Sequence, residues 1–404
     1  MWIRKTFLLT LVLGVKTVYS ANMDSKALTS SIAQFSVKFC NELDKTTSVV
    51  SSPLSAEFVL ALLTLGTSEP AHSELLTSLG IPGDDDIRSS FSSLSAKLKS
   101  IKGVTLNVAN KVYIKDGDYD LDEKLKDDAV KIFDAGLEKV DFSDGAAAAD
   151  LINKWVEKQT NEKIKKLLSE DSLNEDTRLV LLNAIYFKGT WKKQFDPANT
   201  IQQPFYVDDK NTVDVPMMYK EDDYLYGESS ELNAQLLQIP YVGDEASMLI
   251  VLPRDITGLD AVMTKLAGGY DLLAEMDKMY KTKVQVTIPK FKIETEIDLA
   301  TLLPKLGINA IFNCQNSGIT KVLNKPEQLY VSKAVQKAFI EVNEEGAEAA
   351  AATASSARAK RSLRSSVGVR ADRPALWCVL ARRAVLAALV PRPARGPPPA
   401  RSEL

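Results

Sequence analysis

A chain of 404 residues with 45% hydrophobic and 25% charged side chains has the composition of an ordinary soluble globular protein with a sizeable core. Its three cysteines, Cys40, Cys314 and Cys378, are too few and of the wrong parity for a disulfide framework, so stability has to come from packing. The net charge of −3 hides an asymmetry: from Ser355 onward eleven Lys/Arg face two Asp/Glu, a balance of +9, which leaves about −12 before it. That basic end reads either as a surface for acidic partners or as the compositional bias of a terminal exon. No nucleic-acid or membrane partner is expected.

In chain order, "MWIRK", the apolar "TFLLTLVLGV" and Val18-Tyr19-Ser20 form a secretory signal over 1–20, so a secreted, extracellular protein is expected. Leu28, Ile32, Phe35, Phe39 and Leu43 recur at helical spacing, which predicts a first amphipathic helix with Cys40 packed on it. "SSPLSAEFVLALLTLGTSEPAHSELLTSLGIP" predicts two more helices, punctuated at Gly66–Pro70 and Gly80–Pro82. "VTLNVANKVYI" alternates as a strand. "AAADLINKWVEKQTNEKIKKLL" is a long helix running into a basic turn, and "RLVLLNAIYF" is a strand buried on both faces. Strands then dominate in "VDVPMMY", "AQLLQIPYV", "SMLIVLP" and "KVQVTIPKFKIETEI". A helix over "DLATLLPKLG" and the strand "LYVSKAVQKAFIEVN" follow. Residues 391–404, rich in Pro and Arg, read as a disordered tail. Helices first and strands later give an α+β class.

Catalysis finds little support. The only histidine, His72, sits between Ala71 and Ser73 without a nucleophile signature nearby, so a hydrolase triad is disfavoured and a surface or capping role expected. Both phosphate-loop signatures are missing, and sites built from several His are excluded. Asp84–Asp86 and Glu221–Asp223 read as solvated loops without the spacing of a calcium loop. No cofactor or metal is expected.

"VVSSPLSAEFVLALLTLG", "TRLVLLNAIYFKGTWKKQFDPANT", "PMMY", "LLQIPY", "MLIVLP" and "LYVSKAVQKAFIEVNEEGAEAAAATA", in that order, resemble the serpins, with an arthropod flavour. The resemblance runs from about Ser30 to Ala354. It implies one domain over 21–390 with three β-sheets, about nine helices and an exposed reactive-centre loop at about 344–368. It also implies a monomeric suicide substrate of serine proteases. The alternative is a serpin-fold carrier, chaperone or storage protein that does not inhibit.

In the mechanism the resemblance implies, the cut loop inserts as a central strand of the main sheet. The hinge would be Glu344, Glu345, Gly346, Ala347, Glu348, Ala349, Ala350, Ala351, Ala352 and Thr353. Small side chains let a strand enter a packed interior. Ala347, Ala349, Ala351 and Thr353 share one face, assigned to the core, with Glu348 outward and Gly346 supplying backbone freedom. Ser52, Pro53, Ser55 and Asn183 would control sheet opening. Gln336 would act with them where the family often has His, and Trp191 would mark the top of the sheet.

The bait bond is Arg361–Ser362, or Lys360–Arg361 by the other count. Arg358, Lys360 and Arg361 also make the Arg-x-Lys-Arg pattern of furin-like convertases, which a processing site would share. Either bond implies a protease with an acidic specificity pocket. The turn at Lys163, Lys165 and Lys166 is a weak glycosaminoglycan candidate. "RSEL" loosely resembles an endoplasmic-reticulum retrieval signal, an alternative to secretion. The last strands lack the family's aromatics and glycine, with Ala375 and Ala388 among the replacements, so either neighbours compensate or this end folds poorly.

Overall fold

The computed structural model describes residues 23–346, 366–381 and 384–393; the signal, the Ala-rich part of the hinge, the bait bond and residues 394–404 lie outside them. The first half is helical. Helices α1 (Ser25–Asn41), α2 (Pro53–Leu65), α3 (Ala71–Leu79) and α4 (Asp84–Lys99) carry the short strand β1 (Val49–Ser51) between the first two. Strand β2 (Val104–Lys115), α5 (Glu123–Lys131), β3 (Ala135–Val140), α6 (Gly145–Gln159) and β4 (Leu179–Gly189) follow. Next come β5 (Thr200–Tyr206), β6 (Thr212–Ser229), β7 (Ala234–Pro240), β8 (Ala246–Pro253), α7 (Leu259–Ala267) and α8 (Leu272–Met276). The chain closes with β9 (Tyr280–Pro289), β10 (Phe291–Asp298), α9 (Leu299–Leu302), β11 (Val331–Val342), β12 (Val367–Arg370), β13 (Leu376–Ala381) and β14 (Ala384–Val390).

One sheet has five strands in the order β10-β11-β4-β2-β3. The other is a ladder in the order β1-β14-β13-β8-β7-β6-β9-β12, with β5 on β6. Two of the three expected sheets are thus continuous through β6. This 18-residue strand pairs with β5 and β9 along most of its length and with β7 at its end.

The unbroken apolar run in β4 has a direct cause. Leu179, Leu181, Ile185 and Phe187 enter the main core with α2, while Val180, Leu182 and Ala184 enter a second core with Ile152 and Val156 of α6. A strand covered on both faces has no position for an exposed polar residue. Helix α2 is buried at every position from Pro53 to Leu65, with Ser52 as N-cap and Pro53 at the first helical turn.

Several expectations change. Asp84–Asp86 open helix α4, where carboxylates favour the helix N-terminus, and Asp86 is buried and accepts the Met23 amide at 2.7 Å. Glu221–Asp223 lie within β6, Glu221 2.7 Å from Lys283 on β9 and Asp222 paired with Lys193. The long helix ends at Gln159, because Asn161 and Glu162 adopt φ of 50° and 59°. The "DLATLLPKLG" helix is one α-turn that tightens to 3₁₀ over Leu303–Leu306, where Pro304 has no amide hydrogen to give. Helices α4, α5, α7 and α8 were not separately legible in the sequence.

His72 lies in α3, half-buried, its Nδ1 3.2 Å from the Thr64 carbonyl and its Nε2 3.4 Å from Asp84. All three cysteines are free; Cys40 and Cys378 are buried and Cys314 is exposed. The last strands do fold: β13 and β14 pair antiparallel from Trp377↔Leu389 to Ala381↔Ala384, and Trp377 packs edge-on to Phe291 at 5.4 Å. Ala375 and Ala388 are buried.

Candidate functional site

The middle of the five-stranded sheet is a seam between β4 and β11. These strands pair directly and in parallel, from Val331↔Leu179 to Ile340↔Phe187. The only register shift falls between Val331 and Lys333. The seam is shut, with no strand between its edges.

A polar row crosses this apolar sheet. Asn110 on β2, Asn183 on β4 and Gln336 on β11 are register partners in sequence, and each is buried. Gln336 Nε2 donates to Asn183 Oδ1 at 2.6 Å and to the Ser52 carbonyl at 2.9 Å, while its Oε1 accepts the Ser52 amide at 2.9 Å. Asn183 Nδ2 donates to Ser55 Oγ and Asn110 Oδ1. Ser52 Oγ caps α2 and donates to the Leu386 carbonyl of β14 at 2.5 Å. Four of the predicted residues, Ser52, Ser55, Asn183 and Gln336, therefore form one network, with Pro53 starting the helix that carries two of them. The amide of Gln336 fills the place by donating and accepting at once.

Asn110 belongs to this network and was missed. It sits in the same phase as Val108, Val112 and Ile114, and a polar residue on the apolar phase of a strand is the signal that would have found it.

The hinge leaves the sheet at the end of β11. Asn343 Oδ1 accepts the amides of Glu345 and Gly346, each at 3.1 Å, and Gly346 turns the chain at φ +119°. A Cβ there would lie 2.1 Å from the Gly189 carbonyl oxygen, so only glycine fits. The end of β4 holds this turn. Trp191 donates its amide to the Glu345 carbonyl (2.9 Å) and its indole N–H to the Asn343 carbonyl (2.9 Å), and Phe195 donates to the Glu344 carbonyl (2.8 Å). Trp191 is itself clamped by Tyr241, stacked at 4.5 Å and 6°.

Lys290 and Thr200, also missed, pin the Glu344 carboxylate with hydrogen bonds of 2.8 Å each. Burial alone would raise this carboxyl. The bonds from Lys290, its own backbone and Thr200 outweigh burial and hold it below the ordinary carboxylate range. No local pattern marks either partner, because both lie more than 50 residues from Glu344.

Ala347–Thr353 and the bait residues Lys360, Arg361 and Ser362 lie outside the described residues. The chain is described again from Ser366, which accepts a hydrogen bond from Gln285 at 2.8 Å, and β12 pairs in parallel with β9. In the basic turn Lys165 pairs with Glu157 at 3.2 Å, and the Lys165 carbonyl accepts from Lys337 of β11 at 3.3 Å. Among the described residues no group of three His, Cys, Asp or Glu is placed to hold a metal, and no helix is long and apolar enough to cross a membrane.

Residues 30–386 match the family model described as serpin (serine protease inhibitor). The chain is 44% identical to an antitrypsin of Bombyx mori over 351 residues, 86% of this chain and 89% of the relative. It is 48% identical over 305 residues to antichymotrypsin-2 of the same moth, covering 76% and 80% of the two chains. Among solved structures it is similar to Serpin48, described as a highly specific serpin of the insect Tenebrio molitor. That likeness has a TM-score of 0.83 and 32% identity over 92% of this chain and 100% of the other.

Proposed function

This chain belongs to the serpin family, and from that premise we propose that it inhibits a trypsin-like or furin-like serine protease as a suicide substrate. Serine protease inhibition, rather than catalysis, is what the family and the insect inhibitor relatives support. The bait is Arg361, with Lys360 as the neighbouring choice.

The protease serine attacks the Arg361 carbonyl, the Arg361–Ser362 peptide bond breaks, and Ser362 leaves as the new amine. Arg361 stays on the protease as an ester. A buried cation at this position needs a carboxylate in the protease pocket.

The observation that carries the reading is the shut parallel seam beside a hinge that turns back on itself. A strand continuing from Gly346 into the seam runs antiparallel to both β4 and β11, and antiparallel pairing is the more stable kind. It replaces one ladder by two, and each added hydrogen bond contributes roughly 1 kcal/mol net. The reach is sufficient. The 15 residues from Ala347 to Arg361 span roughly 50 Å extended, while the 12-residue β11 spans roughly 40 Å. An ester at Arg361 is therefore carried past the far end of the sheet. Before the cut, the network of Gln336, Asn183, Ser52 and Ser55 and the Glu344 clamp oppose opening, so the intact form persists for kinetic reasons.

The relatives' names point to trypsin and chymotrypsin as targets of those proteins; the basic bait here favours the trypsin-like pocket. Action outside the cell follows from the N-terminal signal, and the retrieval-like terminus would keep the protein in the secretory pathway instead.

Incubation with trypsin or furin should give a complex that survives boiling in detergent, with Ser362 as the new N-terminus of the released fragment. Clean cleavage without complex would favour the non-inhibitory alternative. Ala347→Arg, with a bulky cation on the inward face, should convert the inhibitor into a substrate.

A further inference from the structure

On the opposite side of β13 and β14 from the main core, helix α1 spans a cavity of about 690 Å³. The floor is Leu376, Cys378, Val385 and Ala388. Cys378 and Ala388 are register partners, so two small side chains lie side by side where the cavity is deepest. The roof is one stripe of α1, Ala33, Ser36, Val37 and Cys40, and Met263 and Met276 close the sides.

Two observations point to a ligand. The volume and the apolar lining fall in the range of sites for drug-sized molecules. Independently, the Ser36 Oγ is buried, lines this cavity and has no hydrogen-bond partner. A buried hydroxyl left unmatched costs about 1–3 kcal/mol, and an occupant with one polar group removes that cost. The charged residues of the lining, Lys26, Asp271 and Asp277, are all exposed at the rim. The deep end offers one hydroxyl and two thiols, and burial keeps both thiols protonated, Cys40 with its pKa pushed up to about 11. A charged head group at depth would therefore find no counterion.

We propose that this cavity binds a neutral apolar molecule carrying one hydroxyl or carbonyl group, with that group hydrogen-bonded to Ser36. None of the hinge or seam residues lines the cavity, so the site is independent of the inhibitory reading and either can fail without the other.

The full chain is titrated with 1-dodecanol, dodecane and dodecanoate by calorimetry. One equivalent of 1-dodecanol should bind, about tenfold tighter than dodecane and tighter than the charged dodecanoate. Ser36→Ala should erase the preference for the alcohol while leaving dodecane binding unchanged. Ala388→Phe should abolish binding of both; if that chain does not fold, Ala33→Phe closes the cavity from the helix side with the same expectation. No binding to the parent chain overturns the proposal. So does an alcohol bound no tighter than the alkane, or undiminished binding by a folded Ala388→Phe or Ala33→Phe chain.

Discussion

The seam between β4 and β11 and the hairpin of β13 and β14 are both buried, yet they are finished differently. At the seam each polar group of the row has a partner, and the small residues present, such as Ala184, are covered by α6. Beneath α1 the small residues of the hairpin, Cys378 and Ala388, are not matched by larger ones above them, and space remains. A strand can therefore sit correctly in a sheet without the layer over it being full. Ladder hydrogen bonds set the register of the hairpin, whereas side-chain volume decides whether the layer above closes. The earlier alternative of compensation or poor folding resolves into neither: the hairpin pairs, and the cavity stays.

The largest effect expected from breaking this contrast is at Asn183. Asn183→Ala strips partners from Gln336, Ser55 and Asn110 at once and should lower stability by about 2–4 kcal/mol in denaturant unfolding. The contrast sharpens with one substitution made on both sides. Ala184→Leu should cost about 1–3 kcal/mol by overpacking under α6, whereas Ala388→Leu should raise stability by about 1 kcal/mol by filling space.

A smaller effect is expected at Glu57 of α2. Its buried Oε1 has no partner, and burial pushes the carboxyl well above its ordinary value of 4.5. The folded state thus holds a proton that the unfolded chain releases near pH 4.5, so stability falls as pH rises above that value. Glu57→Gln should stabilise by about 1–2 kcal/mol at pH 7, a gain that disappears below about pH 4.5 when stability is followed across pH.

Glu344 has the opposite sign. Its carboxyl is held low, so the hinge clamp is intact above pH 4.5 and is lost as pH falls through the lower folded-state value. Lys290→Met should remove that acid-side slope, with a change near neutrality of only about 0.5–1 kcal/mol, because Lys290 is partly exposed.

Much of the local structure was legible in the residues. The alternation of β2, the unbroken apolar run of β4 and the capped start of α2 express backbone sterics and burial within a few neighbouring positions. Gly346 was readable as a hinge, and its φ of +119° is the reason only glycine serves there. The gate was legible only by family resemblance, and even then Asn110, Lys290 and Thr200 escaped. Their roles depend on strands and loops that meet across 50 to 150 residues of chain, as Gln336 meets Asn183. The acidic runs were misread for a related reason: composition says that a carboxylate seeks water, but not whether it does so from a loop, a helix N-terminus or one face of a strand.

The sequence by itself determined which segments become helices and strands, where the chain turns, and that a small-residue segment precedes a basic bait, because these follow from side-chain shape and neighbour-to-neighbour spacing. Only the tertiary structure decided that β4 and β11 lie side by side with a shut seam, that Lys290 reaches Glu344, and that α1 stands over an unfilled space. Register and empty volume are properties of the faces that meet, and no single face carries them.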